Sequence, residues 1–461
     1  MKKIVLLFIY LFLSYNYLLA QGWSELGGTA STDLNANAWI QTVITDNLGN
    51  VYVAGNFTDA NGIQYVAKWN GTAWNELGKL TNVTIPYEGI WPIAADNNGN
   101  IYTAGWLADA LGHEYVAKWN GTNWSELGTS NNALSADNFI TSIIADNAGN
   151  VYACGGFTDT YGYQFVAKWN GTYWAEVGTL SNALNANGQI NSLIVENSGN
   201  TIYAAGAFKD VNNYSYVAQW NGTNWSELGM GVNALNANGD IFTIASDEFG
   251  NIYAAGFFTN ANGKNYVAKW NGTTWSELGT GVNALNANED IFSITVDDSG
   301  YVYAGGAFTN ANNKYYVAKW NGASWIELGA GANALNANLN INSITTDNAG
   351  NIYAGGGFTD VNNKSYVAVY SPKYQSTATI NQLATKSISI YPNPGTGIVH
   401  ITDLSENVQL NVYNVLGETV SVQQISSGTS SLDLSNLPSG IYTLLLNGQN
   451  SSYTPVKWVK E

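Results

Sequence analysis

The sequence repeats itself seven times with a period of 50 or 51 residues, and this repetition limits the folds open to the chain. Each repeat carries an acidic residue that opens a turn, an aromatic-Val-Ala step and a Trp-x-Glu-(Leu/Val) tetrapeptide. The tetrapeptides begin at Trp23, Trp74, Trp124, Trp174, Trp225, Trp275 and Trp325. Because a unit of this size cannot bury its apolar face alone, successive units must pack against one another.

Each unit predicts four short strands, which in the fifth unit are Ile241 to Ala245, Ile252 to Phe258, Tyr266 to Trp270 and Trp275 to Leu278. The pair Asn271-Gly272 between the last two is typical of a type I′ hairpin turn, whose two central residues need positive φ. No apolar periodicity of 3.6 residues appears in the repeats, so the fold class is all-β. Seven such units predict a seven-bladed β-propeller.

The phase of the repeats predicts how the ring closes. The first tetrapeptide, Trp23 to Leu26, is a lone fourth strand, whereas the seventh unit ends at Tyr370 without one. We therefore expect the N-terminal strand to complete the last blade, since an open blade would leave unpaired backbone groups on an edge.

The order of residues within the units resembles that of kelch-type propeller repeats. A glycine pair after the second strand, Gly305-Gly306, is followed by Tyr316 in the third strand and Trp325 in the fourth. The resemblance covers about residues 23–370, although most units keep only the second glycine. It implies the fold but not the ligand, because such rings host both binding modules and enzymes.

The N-terminus and the charge balance bear on location and partners. Lys2 and Lys3, an apolar run from Ile4 to Leu13, and Ala20 predict a secretory signal peptide over residues 1–20; the alternative is an uncleaved anchor. The propeller is then expected over 21–370. All 16 basic residues are Lys and the net charge is −17, so we expect no nucleic-acid partner.

Composition changes after Tyr370, which predicts a polar linker over 371–385 and a second domain over 386–461. Alternating apolar residues and turn-forming Pro and Gly predict a small antiparallel, Ig-like β-sandwich. This segment resembles the type A C-terminal sorting domain of bacterial type IX secretion. The residues that carry the resemblance are Tyr391, Pro392, Asn393, Pro394, Gly397, Gly417, Gly440, Tyr442, Lys457 and Lys460.

That resemblance implies a partner and a location. The partner is the type IX secretion machinery, and the implied route crosses the periplasm and the outer membrane. The protein is then secreted or held on the outer-membrane surface of a Gram-negative bacterium, and the resemblance implies that the sorting domain is removed on the way.

The residues offer little catalytic chemistry. His113 and His400 are far apart in the sequence, and no His or Cys cluster suits zinc, so we expect no metal, no cofactor and no assigned catalytic residue. The acidic turns could be calcium loops, but Asp and Asn bonding their own backbone also explain them. Thirteen of the 17 Trp recur at fixed repeat positions, which favours packing between blades over a sugar-binding surface.

Five loops that lead into a first strand carry Leu-Asn-Ala-Asn, as at Asn35 and Asn37. One interpretation is that the amides join neighbouring blades. The other is a ring of similar polar sites for a glycan or repetitive polymer, whose weak copies would gain by multivalency.

The repeat symmetry is broken near the start of the first strands, at one mouth of the expected channel. Trp39, Tyr87, Trp91 and Phe139 place aromatic rings on one side. Asp240 and Asp290 place carboxylates opposite. These six residues are the candidate ligand-binding site, although drift in exposed loops would also explain them.

Two classes of function remain. The first is an exported binding or adhesion propeller for a glycan or a surface protein. The second is a secreted enzyme acting on extracellular polysaccharide, with Asp240 and Asp290 as a carboxylate pair; such pairs need separations of about 5–5.5 or 6.5–9.5 Å. The weak titratable chemistry favours the non-enzymatic class.

Overall fold

A computed structural model describes residues 22–28, 32–80, 89–196, 199–329, 331–371, 390–401, 404, 407–414, 419–428, 431–448 and 456–461. The chain divides into two compact units, Met1–Tyr374 and Gln375–Glu461. The predicted signal peptide, Tyr87, Gly417 and all of the predicted linker except Ser371 lie outside the described residues.

The first unit is built from four-stranded antiparallel sheets, seven of them among the described residues, which we number in chain order. The N-terminal strand is β1 (Trp23–Glu25). Sheets 1 to 3 comprise β2 (Ile40–Thr45), β3 (Val51–Gly55), β4 (Ala67–Trp69) and β5 (Trp74–Glu76); β6 (Ile90–Ala95), β7 (Ile101–Gly105), β8 (Ala117–Trp119) and β9 (Trp124–Glu126); and β10 (Ile140–Ala145), β11 (Val151–Gly155), β12 (Ala167–Trp169) and β13 (Trp174–Glu176).

The remaining sheets follow the same order. Sheets 4 to 6 comprise β14 (Ile190–Glu196), β15 (Thr201–Lys209), β16 (Ser215–Trp220) and β17 (Trp225–Glu227); β18 (Ile241–Ser246), β19 (Ile252–Gly256), β20 (Ala268–Trp270) and β21 (Trp275–Glu277); and β22 (Ile291–Val296), β23 (Val302–Gly306), β24 (Ala318–Trp320) and β25 (Trp325–Glu327). Sheet 7 comprises β26 (Ile341–Thr346), β27 (Ile352–Gly356), β28 (Ala368–Tyr370) and β1. Short 3-10 helices follow the fourth strands of sheets 2 to 6, at Ser130–Asn132, Leu180–Asn182, Gly231–Asn233, Gly281–Asn283 and Gly331–Asn333.

β1 pairs with β28, with Trp23 opposite Tyr370 and Glu25 opposite Ala368, as the phase of the repeats predicts. The first strand of each sheet contacts the first strands of the two neighbouring sheets, and β26 contacts β2. The all-β fold with repeated four-stranded sheets is thus confirmed, and its arrangement is propeller-like.

The second strands of six sheets are buried throughout, and β15 of sheet 4 is buried from Ile202 to Gly206, because sheets lie against both faces of these strands. Between the first two strands the register shifts by one residue at the start of the first strand, a β-bulge. A Cβ on the last glycine of the second strand would lie only 2.2 Å from the Trp39 carbonyl oxygen at Gly55 and 2.3 Å from that of Asp240 at Gly256. This close approach explains why every unit keeps that glycine. The second strand of sheet 5 ends two residues earlier than predicted, at Gly256, after which Phe257 N–H donates to the Asp240 carbonyl oxygen.

The repeated Trp of the fourth strands join neighbouring sheets. Each indole N–H donates to a Leu or Val carbonyl oxygen that follows the fourth strand of the preceding sheet. The Trp174 bond to Leu127 is 2.7 Å long, and the Trp23 bond to Leu328 is 2.9 Å, so β1 makes the same contact as the other fourth strands. Packing between sheets, rather than a sugar-binding surface, therefore accounts for these Trp.

The acidic turns are satisfied within the sheet. Asp46 Oδ1 accepts from the backbone N–H groups of Leu48 and Asn50, and Oδ2 accepts from the Asn50 amide at 2.7 Å and the Tyr52 hydroxyl at 2.9 Å. Both carboxylate oxygens are therefore occupied by the turn, which supports the backbone-bonding interpretation over a calcium loop.

The second unit contains two antiparallel sheets around one core. Its strands are β29 (Ile390–Tyr391), β30 (Ile398–Ile401), β31 (Val408–Tyr413), β32 (Thr419–Ile425), β33 (Ser431–Asp433), β34 (Gly440–Gly448) and β35 (Val456–Lys460). The sheet orders are β29-β30-β33 and β32-β31-β34-β35. Val399 of the first sheet and Leu410, Leu444 and Trp458 of the second are fully buried in the shared core.

Candidate functional site

The loops that enter the first strands pair with the loops between the second and third strands, at the end of the sheets where the symmetry breaks. Glu114 N–H donates to the Ala136 carbonyl oxygen at 2.8 Å, and Ala136 N–H donates to that of Glu114 at 3.0 Å, joining sheet 2 to the entry of sheet 3. Equivalent pairs join the later sheets, and Ala36 pairs with Ser365 between sheets 1 and 7. We call this end the entry face.

The Asn-rich loops are structural parts of this face. Asn35 has a φ of +51°, a left-handed conformation that Asn tolerates. The Asn37 amide donates to Thr58 Oγ1 at 3.0 Å and its oxygen accepts from Thr58 N–H at 2.8 Å, within its own sheet. The expectation that the amides join neighbouring sheets is therefore corrected in one respect. The Asn37 amide bonds to Thr58 of its own sheet, whereas the backbone of Ala36 bonds to Ser365 of the neighbouring sheet.

An aromatic cluster occupies the entry face at the junction of sheets 2 and 3. The ring centroids of Trp91 and Phe139 are 6.1 Å apart, and those of Trp106 and Phe139 are 5.0 Å apart. All three side chains are half-buried. Two of the predicted site residues, Trp91 and Phe139, are thus brought together, and Trp106 joins them.

A local exception in sheet 2 positions Trp91. Pro92 has no N–H for the sheet, and pairing jumps from Ile90 opposite Gly105 to Ile93 opposite Thr103. The Thr103 hydroxyl donates to the Pro92 carbonyl oxygen at 2.9 Å, whereas the other sheets have Ala or Val at the position of Thr103. Pro92 and Thr103 together depart from the repeat, and the bond between them links the distorted first strand to the second strand while Trp91 lies in the bulge.

Glu114 supplies a buried carboxyl group at the same junction. The residue is only 6% exposed, and its Oε2 has no hydrogen-bond partner in the part of the chain that the structure describes. Burial, reinforced by the negative charge of Asp109, raises the pKa of Glu114 from 4.5 to about 7. Its counterpart in sheet 5, Asn265, donates to Asp290 Oδ1 at 3.4 Å, so this position faces the start of the next first strand.

The two indole N–H groups of the cluster are also buried. Neither Trp91 Nε1 nor Trp106 Nε1 has a hydrogen-bond partner among the described residues. The junction therefore holds two unpaired donors and one unpaired acceptor beside aromatic rings, in contrast to the fourth-strand Trp, which are all paired. Buried polar groups without partners are costly, so this arrangement suits a bound polar molecule or ordered water.

The other predicted residues lie elsewhere on the entry face. Trp39 is at the junction of sheets 7 and 1, where a Cβ on Gly357 would lie 3.2 Å from its ring and 3.2 Å from Asn340 Oδ1. Burial and the neighbouring Glu289 raise the pKa of Asp290, opposed by the Asn265 amide. Asp240 begins sheet 5, and no hydrogen bond between its side chain and that of Asp290 is found among the described residues. Tyr87 lies outside them.

Sequence reasoning missed Trp106 and Glu114 as site residues. Both break a series that the repeat makes visible. The counterparts of Trp106 are Asn56, Gly156, Ala207, Phe257, Ala307 and Gly357, and those of Glu114 are Gln64, Gln164, Ser215, Asn265, Tyr315 and Ser365. Comparing every loop position across the repeats would have found them.

In the second unit, the Pro-rich motif holds the last strand. Asn393 donates its amide to the Lys457 carbonyl oxygen at 2.6 Å and accepts from Val459 N–H at 2.9 Å, and Trp458 Nε1 donates to the Pro392 carbonyl oxygen at 3.1 Å. Tyr391-Pro392 and Asn393-Pro394 are cis peptide bonds.

The other motif residues support the same core. A Cβ on Gly397 would lie 2.7 Å from the Ser435 backbone, and the Tyr442 hydroxyl donates to the Pro438 carbonyl oxygen at 2.7 Å. Lys460 is buried and its ammonium donates to the carbonyl oxygens of Leu434, Ser435 and Leu437, whereas Lys457 is exposed.

Residues 389–461 match the family model described as the secretion system C-terminal sorting domain. The C-terminal unit is therefore a sorting domain, as predicted, and it implies interaction with the type IX secretion machinery. The protein is exported to the cell surface or the extracellular space of a Gram-negative bacterium. No helix in the described residues is long and apolar enough to cross a membrane.

Two solved structures show the fold of the chain. PorZ, a surface component of the type IX secretion system of Porphyromonas gingivalis, is 14% identical with a TM-score of 0.51, and the match covers 95% of this chain and 60% of that one. The extracellular domain of a putative hybrid two-component system from B. thetaiotaomicron is 12% identical with a TM-score of 0.51, covering 95% and 57%. This chain thus spans less than two thirds of either protein. A search of curated proteins finds no match.

Proposed function

We propose that this protein is an exported binding or adhesion propeller that holds a glycan or a surface protein at the entry face. In this proposal residues 1–20 are a signal peptide and 21–370 form a kelch-like, seven-bladed ring closed by the N-terminal strand. A linker over 371–385 leads to a type A, Ig-like sorting domain over 386–461.

The observation that carries the proposal is the junction of sheets 2 and 3. Trp91, Trp106 and Phe139, each partly exposed, offer ring faces to the apolar face of a sugar, and the buried indole N–H groups and Glu114 carboxyl are proposed to reach its hydroxyls through ordered water. Aromatic walls with a few converging polar groups are typical of a ligand site. Trp39, Tyr87, Asp240 and Asp290 are proposed to extend the contact around the same face.

The alternative is a secreted enzyme acting on extracellular polysaccharide. The observation in its favour is the raised pKa of Asp290, since a general acid must keep its proton near the operating pH. Turnover of a polysaccharide that is lost in Asp240→Asn or Asp290→Asn would establish this alternative; binding without turnover supports the proposal.

A glycan array probed with the purified protein tests the site. Trp106→Ala should weaken binding about tenfold or more, because it removes a ring and an N–H donor. Phe257→Ala is the matched control: Phe257 holds the same position in sheet 5, is 58% exposed, and lies outside the cluster, so its loss should leave binding unchanged.

Each result has a definite meaning. Equal effects of Trp106→Ala and Phe257→Ala would contradict the assigned junction. Failure to bind any glycan would refute the glycan part of the proposal, and a protein partner whose capture depends on Trp106 would then be the remaining form of it.

A further inference from the structure

A cavity of about 540 Å³ lies between sheets 6 and 7, at the end of the sheets opposite the entry face. It is lined by the turns that join the first two strands of both sheets and by the third and fourth strands of sheet 6. It shares no residue with the junction of sheets 2 and 3, so it is a separate site.

Three residues that break the repeat line this cavity. Tyr301 stands where the six other units have Asn, Tyr370 where they have Trp, and Ile326 where they have Ser, Asn or Ala. Tyr301 is 37% exposed and Ile326 is 46% exposed, whereas the Tyr370 ring is buried. Three independent departures from a sevenfold pattern therefore coincide in one place.

The equivalent groove between sheets 3 and 4 shows what these departures change. There the described residues line a volume of about 230 Å³, with Ala175 in place of Ile326 and Trp220 in place of Tyr370. The larger cavity also includes the turn Asp297 to Tyr301 of sheet 6, whose counterpart in sheet 3 does not line the smaller groove. A volume of 540 Å³ is within the range of small-molecule sites.

Tyr301 also frees hydrogen-bonding capacity in the cavity wall. In five other sheets the residue at its position is an Asn whose amide donates to the turn Asp. Here Asp297 Oδ2 accepts from the Tyr303 hydroxyl at 2.8 Å without that amide, which leaves room for one further donor.

The charges of the lining exclude an anionic ligand. The Lys319 ammonium lies 3.8 Å from the Tyr301 ring centroid and 5.3 Å from that of Tyr303, which places a cation in the wall. Four carboxylates line the same cavity, those of Asp297, Asp298, Glu327 and Asp347. An anionic ligand would be repelled by these carboxylates, whereas a neutral polyol can donate its hydroxyl protons to them and accept from the ammonium.

We infer that the cavity between sheets 6 and 7 binds a neutral saccharide of one or two rings, with Tyr301 and Ile326 contacting its apolar face and Asp297, Asp298 and Lys319 its hydroxyls. This site is independent of the entry face and gives the ring a second binding surface on the opposite end.

The test uses variants that restore the repeat. Tyr301→Asn, Ile326→Ser and Tyr370→Trp together install the residues that other sheets carry. Trp fits at 370 because Tyr370 and Trp23 are 5.6 Å apart and the equivalent Trp pairs lie at 5.6 to 6.0 Å. The triple variant should therefore fold with an unchanged or higher melting temperature.

Binding is measured on the full purified protein by saturation-transfer NMR and calorimetry, with N-acetylglucosamine, glucose, cellobiose and lactose as probes. At least one neutral sugar should bind, and the triple variant should weaken it about tenfold or more. Ala175→Ile in the equivalent groove and Trp106→Ala on the entry face are the controls, and both should leave this binding intact.

A charged sugar tests the ligand class. Glucuronate should bind more weakly than glucose, because four carboxylates line the cavity. Preference for glucuronate, no binding of any neutral probe, or undiminished binding by the folded triple variant would overturn the inference. Loss of sugar binding in Trp106→Ala but not in the triple variant would assign the sugar to the entry face alone and also overturn it.

Discussion

Glu114→Gln should make the propeller unit more stable above pH 7 and leave it nearly unchanged near pH 4.5. Burial raises the pKa of Glu114 from 4.5 to about 7. The unfolded chain therefore gives up this proton at a lower pH than the folded chain does. Below pH 4.5 both states hold the proton and the residue costs nothing; between pH 4.5 and 7 ionisation increasingly favours the unfolded state.

The size of the effect follows from the pKa. A rise from 4.5 to about 7 corresponds to about 3 kcal/mol of unfolding free energy, lost in full once the pH exceeds 7. For a unit of about 350 residues this is a difference in melting temperature of roughly 4 °C. Gln is the natural test residue because sheets 1 and 3 carry Gln64 and Gln164 at this position.

Urea unfolding followed by Trp fluorescence at pH 5, 6, 7 and 8 measures the difference directly. The Gln variant should gain stability over the parent as the pH rises. The reverse exchange is the matched control: Gln64→Glu places a carboxyl at an equally buried position of sheet 1 and should introduce a pH-dependent loss there. Stability differences that stay constant from pH 5 to 8 for both variants would refute the claim that burial sets the Glu114 pKa.

Other predictions concern the joints of the fold. Deletion of residues 21–27 should lower the melting temperature and open sheet 7 to limited proteolysis; an unchanged melting temperature would contradict closure by β1. Trp174→Phe removes the indole bond to Leu127 and should cost about 1 kcal/mol in urea unfolding, and a neutral result would show that packing alone holds the sheets together. Lys460→Met leaves three carbonyl oxygens without their donor and should destabilise the sorting domain by about 2 kcal/mol or more, whereas Lys457→Met at an exposed position should not; equal effects would argue against the buried-cation role.

The sequence predicted the sheets because its repeats mark strand ends locally. Asn-Gly turns, acidic turns and Trp-x-Glu tetrapeptides each act within a few residues, and the phase of the units was enough to place the N-terminal strand in the last sheet. Boundaries were less accurate: the second strand of sheet 5 ends at Gly256 and not at Phe258, whereas that of sheet 4 continues to Lys209 although its glycine makes the same close approach.

The candidate site was predicted only in part because it depends on contacts between loops of different sheets. Trp91 and Phe139 stand out as aromatic residues beside a first strand, and the structure brings them together. Trp39 looks equivalent in the sequence yet lies at another junction. Glu114 gains its character from burial against the loop at Ala136, and nothing in its local sequence indicates that burial.

Departures from the repeat are most informative when they are compared with their surroundings in the structure. Pro92 breaks the ladder, but the Thr103 hydroxyl donates to the Pro92 carbonyl oxygen, so that pair is explained by the fold alone. Glu114 is different because it places an ionisable carboxyl, whose pKa burial raises, where the other sheets carry Gln, Ser, Asn or Tyr. Tyr301 is different because it removes a donor from Asp297 without replacing it. A substitution that the neighbouring side chains compensate preserves the sheet. One that leaves polar groups unpaired lowers the stability of the fold, and a ligand that forms hydrogen bonds with those groups can restore it.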